Sequence, residues 1–291
     1  MTSSPSSNST PRGRRFFDHL MTGLVGLAVV LALVPLVLIV ADVVVQGAPA
    51  LSLSFLINPP TPVGVPGGGI GPAIQGTAIM VAIAVLISVP IGVGAGVFFS
   101  EWPESRLSSI SSFTNDVLAE FPTIVTGIFV YVLIVVPTHT FSALAGAVSL
   151  AVIMIPIVAR TTEESLKIVP TTLREASMAL GISRWKTVIR IVISTGKNGL
   201  ATGVLLAVAR AAGETAPLLL TALGSYFYLG SLTQPAPALP LLIFNYAESP
   251  YQSLQVQAWG AALVLVAFML ALNLTVKFVI GRKFAGIRAE I

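Results

Sequence analysis

The sequence predicts an all-α polytopic membrane protein that crosses the bilayer six times. Three observations carry that prediction. Hydrophobic residues fill 55% of the 291 positions and charged residues only 10%, with a mean hydropathy of +0.91; soluble domains are not built this way. Six apolar runs approach or exceed the roughly 17–25 residues that a spanning helix needs. Lysine and arginine are confined almost entirely to alternate segments between those runs.

Residues 1–15 are a Ser/Thr/Pro/Asn tail ending in Arg12, Arg14 and Arg15, too polar to bury a core and expected to be disordered. The membrane domain is expected over 16–291. Its first span, 20–45, is too long for a signal-peptide core of about 7–15 residues. It reads as an uncleaved anchor despite the faint cleavage-like triplet Ala48-Pro49-Ala50. A loop rich in glycine and proline, 46–72, holds no lysine or arginine. The second span, 73–99, contains Pro90, expected to bend it, and the small pair Gly92 and Gly96, which would admit a close neighbour. A short loop, 101–115, leads to the third span, 117–136, with Pro122 suited to its first turn. A tight turn at 137–140 precedes the fourth span, 142–159. The fifth is expected over 199–223. The run 240–246 is too short to cross, and the sixth span is 258–280. No internal repeat is visible.

Counting basic residues by segment fixes the expected topology. The tail before the first span has three, the 101–115 loop one, the segment from Arg160 to Lys197 seven and the stretch from Lys277 four. The intervening loops have none. This positive-inside pattern puts both termini in the cytoplasm, as an even number of spans requires.

The longest charged segment holds Arg174-Glu175-Ala176-Ser177-Met178-Ala179-Leu180-Gly181, followed after nine residues by Ile191. Thr172 and Glu175 have capping-box spacing, which would start a helix at Leu173. Leu173, Ala176, Leu180 and Ile182 form an apolar stripe, with Arg174, Arg184 and Lys186 on the polar side. Gly181 suits a left-handed helix end, and a second helix is expected from Ser183. Such an object is shaped to be gripped by another protein, although an amphipathic linker between two spans is the plainer alternative.

Glu175, Ala176, Gly181 and Ile191 stand at the spacing of the Glu-Ala-Ala…Gly…Ile-x-Leu-Pro signature, and the segment resembles the cytoplasmic loop of bacterial ABC importer permeases. It departs at Ser177, Ile193 and Ser194, the last removing a kink. The resemblance implies a type I (MetI-like) six-helix bundle whose coupling helix, with Leu173, Arg174, Glu175, Ala176, Leu180 and Gly181, docks on an ATPase.

Inside the expected fifth span lies Arg210-Ala211-Ala212-Gly213-Glu214-Thr215-Ala216-Pro217. A central arginine costs at least about 2.5–3.5 kcal/mol to insert. Spacing of four places Arg210 and Glu214 on one helix face, where they neutralise each other, and Pro217 frees the carbonyl of Gly213. Either a structural ion pair or a polar station on a translocation pathway fits; for the latter, Gly213, Thr215 and Pro217 join the pair. This stretch resembles the phosphate-importer permeases of the Pst type. Gly67-Gly68-Gly69 with Ala73-Ile74-Gln75-Gly76-Thr77, and Trp259-Gly260-Ala261-Ala262-Leu263, are similar to the PstA-type subunit. The resemblance implies a permease for inorganic phosphate in a bacterial cytoplasmic membrane. Its implied partners are a PstC-like second permease, a PstB-like ATPase dimer that uses ATP and Mg, and a PstS-like receptor. A related importer for sulfate or molybdate is the alternative within the same fold.

The chain itself shows no machinery for hydrolysis. It lacks a G-x-x-x-x-G-K-[ST] phosphate loop and has no cysteine. Its two histidines, His19 and His139, lie at opposite ends of the bundle, so neither a metal nor a cofactor is expected. The net charge of +4 belongs to topology and to the lipid surface rather than to a nucleic-acid partner. A secondary transporter or channel could also hold a buried ion pair but needs no docking helix, and a purely structural scaffold leaves the pair unexplained.

Overall fold

The computed structural model describes residues 12–65 and 67–285, with side chains from 16 to 274. The expected tail over 1–11, Pro66 of the glycine-rich turn and residues 286–291 of the basic tail lie outside the described residues. All regular structure among the described residues is helical apart from a single β-bridge, Leu223 to Ala236. Among the described residues, five helices are long and apolar enough to cross a membrane, or six if one bent pair counts as a span.

α1, Arg12–Gly47, starts within the expected tail. Every described side chain from Phe16 to Asp42 is exposed, as suits a helix whose solvent is lipid. It meets the bundle at its end, where a β-carbon on Gly47 would strike the backbone of Trp259. A short helix, α2 (Leu53–Ile57), is capped by the Ser52 hydroxyl, which accepts from the Phe55 N–H at 3.1 Å. α3, Gly71–Glu101, runs through Pro90 as one helix.

The third span differs from expectation. The stretch read as a loop plus the start of a span is a helix, α4 (Arg106–Glu120), which breaks at Phe121 and Pro122. α5, Thr123–Thr138, then turns away by 104°. α4 is amphipathic in an inverted sense. Ser108 and Asn115 are buried, and Asn115 donates to the Pro156 carbonyl at 3.3 Å, while Leu107, Ile110 and Phe113 are exposed. Periodicity alone reports where the apolar residues recur, not which way that face points. Residues 131–135 of α5 form a π turn, and His139 ends it in the left-handed region at φ 54°.

α6, Ala143–Lys167, is capped by Ser142, whose hydroxyl accepts from the Ala145 N–H at 3.1 Å. It continues eight residues past the expected end, because Arg160 pairs with Glu164 (3.0 Å) and Glu163 (3.3 Å) along its own surface. α7, Thr171–Ala179, follows. The expected fifth span begins much earlier than 199: α8 occupies Arg184–Ala212, with a π turn over Val188–Val192. It stops at Gly213, and a separate short helix, α9 (Ala216–Thr221), takes over. α10 (Leu239–Ala247) is the buried short run, and α11 (Gln252–Ala285) is the last span.

The core is a seam of glycines. On α3, a β-carbon at Gly92 would come within 2.7 Å of Val158, and one at Gly96 would strike Ala159 and Thr162 of α6. On α8, β-carbons at Gly196, Gly199 and Gly203 would collide with Leu166, Ser165 and Thr161. Lacking a hydrophobic drive between helices in lipid, such close approach is what binds them. Around this seam Met80, Leu150, Met154 and Val158 are fully buried.

At the end of the bundle opposite the basic loop, residues 223–238 fold back over the helix tops. The Leu229 N–H donates to Gln75 Oε1 (2.9 Å) and the Leu239 N–H to Thr77 Oγ1 (2.8 Å). A β-carbon on Gly76 would meet the Pro237 carbonyl. The Gln75-Gly76-Thr77 run is therefore a clasp on that segment. Gly69 packs as tightly on the Phe55 and Asn58 carbonyls, and Gly260 on Ala50 and Phe55.

Candidate functional site

Two groups of the expected residues remain separate in space: one at the basic end of the bundle and one midway along it.

At the basic end, α7 starts at Thr171 with Pro170 as its cap and no side-chain cap bond. The expected capping box does not form, because Pro170 already sets the entry and the helix begins two residues early. The helix exit does follow expectation. Gly181 has φ +79°; its N–H donates to the Met178 carbonyl (2.9 Å) and the Ile182 N–H to the Ser177 carbonyl (3.3 Å). These two bonds make a Schellman ending, and nothing lies within 4 Å of a β-carbon on Gly181.

The apolar stripe faces outward. Leu173 and Ala176 are exposed, and Leu180 is 82% exposed. Glu175 is exposed as well and has no hydrogen-bond or ion-pair partner among the described residues. The buried member of the helix is Ser177, whose hydroxyl shares a hydrogen bond with Thr187 at 2.9 Å. The departure from alanine at this position thus has a dedicated partner. Arg174 is not on a free polar face. It is 16% exposed and bonded to Glu101, Leu166 and Val169. Sequence reasoning missed Glu101, since 73 residues separate it from Arg174.

The second group lies at the end of α8. Gly196, Gly199 and Gly203 face Leu166, Ser165 and Thr161, so α8 and α6 run antiparallel. Extending that register about two turns past Gly203 brings Arg210 level with the middle of Ala143–Lys167. Arg210 is thus close to the last turn of its own helix and yet near mid-bundle. Its Nε lies 3.5 Å from Glu214 Oε1, with the arginine side chain 49% exposed and the glutamate 16%. The two are brought together as expected, although not on one helix face, since the helix ends at Ala212 and Glu214 lies just beyond it. Pro217 sits in the first turn of α9, where its missing N–H is no loss, so the chain breaks rather than kinks. Thr215 is the residue before that helix and makes no side-chain cap. Gly213 has room for a methyl group, its nearest neighbour being the Arg210 carbonyl at 3.7 Å. Pro217 packs against Gly127 of α5.

Chemically, this break offers an arginine with one face open and its counter-charge largely shielded. A planar guanidinium in that state can take a second anion. No group of three or more His, Cys, Asp or Glu able to hold a metal exists among the described residues.

Comparison with known proteins gives a consistent picture. The family profile described as "Binding-protein-dependent transport system inner membrane component" matches residues 88–283. The phosphate transport system permease protein PstA of Haemophilus influenzae is 42% identical over 90% of this chain and 93% of its own. The Yersinia pestis protein of that name is 39% identical over 85% and 84%. A probable phosphate transport system permease protein PstA of Methanocaldococcus jannaschii is 38% identical over 91% and 94%. Among solved structures, a chain of the MetNI methionine ABC transporter, in an inward-facing conformation, aligns with a TM-score of 0.58 at 19% identity. That alignment covers 74% of this chain and 94% of the other, and it shows the shared fold.

Proposed function

We infer, for a chain that belongs to the inner membrane components of binding-protein-dependent transport systems and within them to the PstA-type permeases, that it moves inorganic phosphate across the bacterial cytoplasmic membrane. It is a transport subunit of an ATP-driven importer, a multi-pass inner-membrane protein of the MetI-like fold. Hydrolysis of ATP with Mg belongs to a PstB-like ATPase dimer. A PstC-like permease completes the membrane unit, and a PstS-like receptor delivers phosphate. α4 and α5 together make the third of six spans, the basic end is cytoplasmic and both termini lie there.

The mechanism follows from two placements. α7 is the coupling helix: Leu173, Ala176 and Leu180 are apolar and uncovered, and Glu175 is a free charge beside them. Such a surface has no reason to face the cytoplasm bare and fits a groove on the ATPase. The observation that carries the pathway is the half-open Arg210 beside a shielded Glu214 at a helix break near mid-bundle. A phosphate arriving there would compete with Glu214 for the guanidinium. Glu214 would hold the arginine in place when no anion is present and repel the anion onward. Rigid-body rocking of the helices would open the station to one side and then the other.

The test is radiolabelled phosphate uptake by the assembled complex, with sulfate and molybdate as competitors. Arg210→Gln is expected to abolish uptake with assembly intact, and Glu214→Gln to impair it by leaving the arginine without its partner. Undiminished uptake in Arg210→Gln would reduce the pair to a structural bridge. Uptake blocked by sulfate but not by excess phosphate would assign another oxyanion.

A further inference from the structure

The buried end of α3 grips the coupling helix directly, by contacts that no loop signature contains. Glu101, the last residue of α3, has a carboxylate that is 4% exposed. Arg174 meets its Oε1 through Nε (3.1 Å) and Nη2 (2.8 Å). The same guanidinium reaches the far end of α6, donating from Nη1 to the Val169 carbonyl (2.6 Å) and from Nη2 to the Leu166 carbonyl (3.0 Å). Leu166 lies in the last turn of α6 and Val169 two residues beyond it, where the chain leaves the helix. One side chain thus neutralises a buried charge at the end of α3 and ties down two carbonyls at the end of α6, of which that of Leu166 also accepts from the Val169 N–H at 3.2 Å. On the next element, Arg184 donates to the backbone carbonyl of Glu101 and lies 4.8 Å over the ring of Trp102. Trp102 packs on Trp185 at 5.2 Å. Residues 101 and 102 therefore hold both the coupling helix, through Arg174, and the start of α8, through Arg184 and Trp185.

We propose that Glu101 and Arg174 form a latch that joins the coupling helix to the ends of α3 and α6 as one mechanical body. A pull on the helix is then delivered straight to two helices of the glycine seam. Without the latch the pull would pass through the short connections 168–170 and 180–183. Glu101 and Arg174 are positioning residues in this scheme, and the inference rests on reading α7 as the ATPase-docking helix. A mere end-cap for α6 would stabilise the protein without altering what hydrolysis accomplishes.

The experiment uses the whole complex, with second permease, ATPase and receptor, in liposomes, and reads ATPase retention, receptor-stimulated hydrolysis and phosphate uptake. Arg174 is turned inward onto Glu101, away from the exposed docking face, so Glu101→Gln and Arg174→Gln are expected to retain the ATPase and hydrolyse ATP, while uptake per ATP falls about tenfold, within the usual range of coupling between sites. The reciprocal exchange Glu101→Arg with Arg174→Glu should recover part of that ratio. The chain has no cysteine, so Glu101→Cys with Arg174→Cys, bridged by a short bis-maleimide, should regain the ratio in the same molecules that lacked it before treatment. A normal uptake-to-hydrolysis ratio in the two single variants would overturn the latch, as would no recovery on bridging. Leu180→Asp probes the docking reading by itself, because that exposed side chain takes no part in the latch. If the ATPase stays bound in Leu180→Asp, docking through α7 fails whatever the latch variants do.

Discussion

Gly181 needs its glycine for conformation alone, since its φ is +79° and the space around it is empty. Gly181→Ala should raise the energy of that helix ending by about 1–2 kcal/mol, weakening ATPase retention in a pull-down while membrane insertion is unchanged. Gly181→Asn should be milder, because asparagine visits the left-handed region more easily. Ser177 makes a different case. Ser177→Ala strands the buried Thr187 hydroxyl and should destabilise by about 1–3 kcal/mol, read as a lower thermal midpoint of the purified protein. Adding Thr187→Val removes the stranded group and should restore most of the midpoint. The glycine of the loop was legible in the sequence because its requirement is local, whereas the capping box read at Thr172 and Glu175 was pre-empted by Pro170, which sets the helix start. Arg174 was not legible, because a partner on a distant helix leaves no trace in the spacing around it.

Among the elements, the glycine contacts lend themselves to the plainest test. Gly203→Val would drive a side chain into Thr161, whose hydroxyl is already tied to the Ile157 carbonyl at 2.8 Å. Overpacking of this kind costs about 1–3 kcal/mol, so the variant should melt earlier in detergent. Gly23→Val, with nothing within 4 Å of its β-carbon, should leave the melting temperature where it was. Gly92 and Gly96 were readable as a close-approach pair, since small residues one turn apart have no other use in a lipid-facing run. The break between α4 and α5 was not readable. Hydropathy over 117–136 is continuous, and Pro122 fits the first turn of a new helix as well as that of an old one. The fifth span was displaced for a related reason: the polar residues between Arg184 and Asn198 hid a helix that starts well before its most apolar part.

For the molecule as a whole, the proposed topology rests on the distribution of lysine and arginine, because charge sorting acts on whole segments and needs no atomic detail. A cysteine placed at Gly64, in the exposed loop after α2, should react with a membrane-impermeant maleimide added outside intact cells, and one at Lys186 should react only after the membrane is opened. The reverse pattern would turn the orientation over. Packing has its own asymmetry. Where β-carbons are absent the helices α3, α6 and α8 leave each other no slack, while α1 hangs from the bundle by its last turns. The protein is a stiff spine with a loosely hung limb, and heat should take it apart in that order. In detergent, α1 should become open to proteases well below the temperature at which the spine separates, and the lifetime of the purified subunit would be set by the two glycine-lined interfaces, α3 with α6 and α6 with α8, rather than by its total apolar surface.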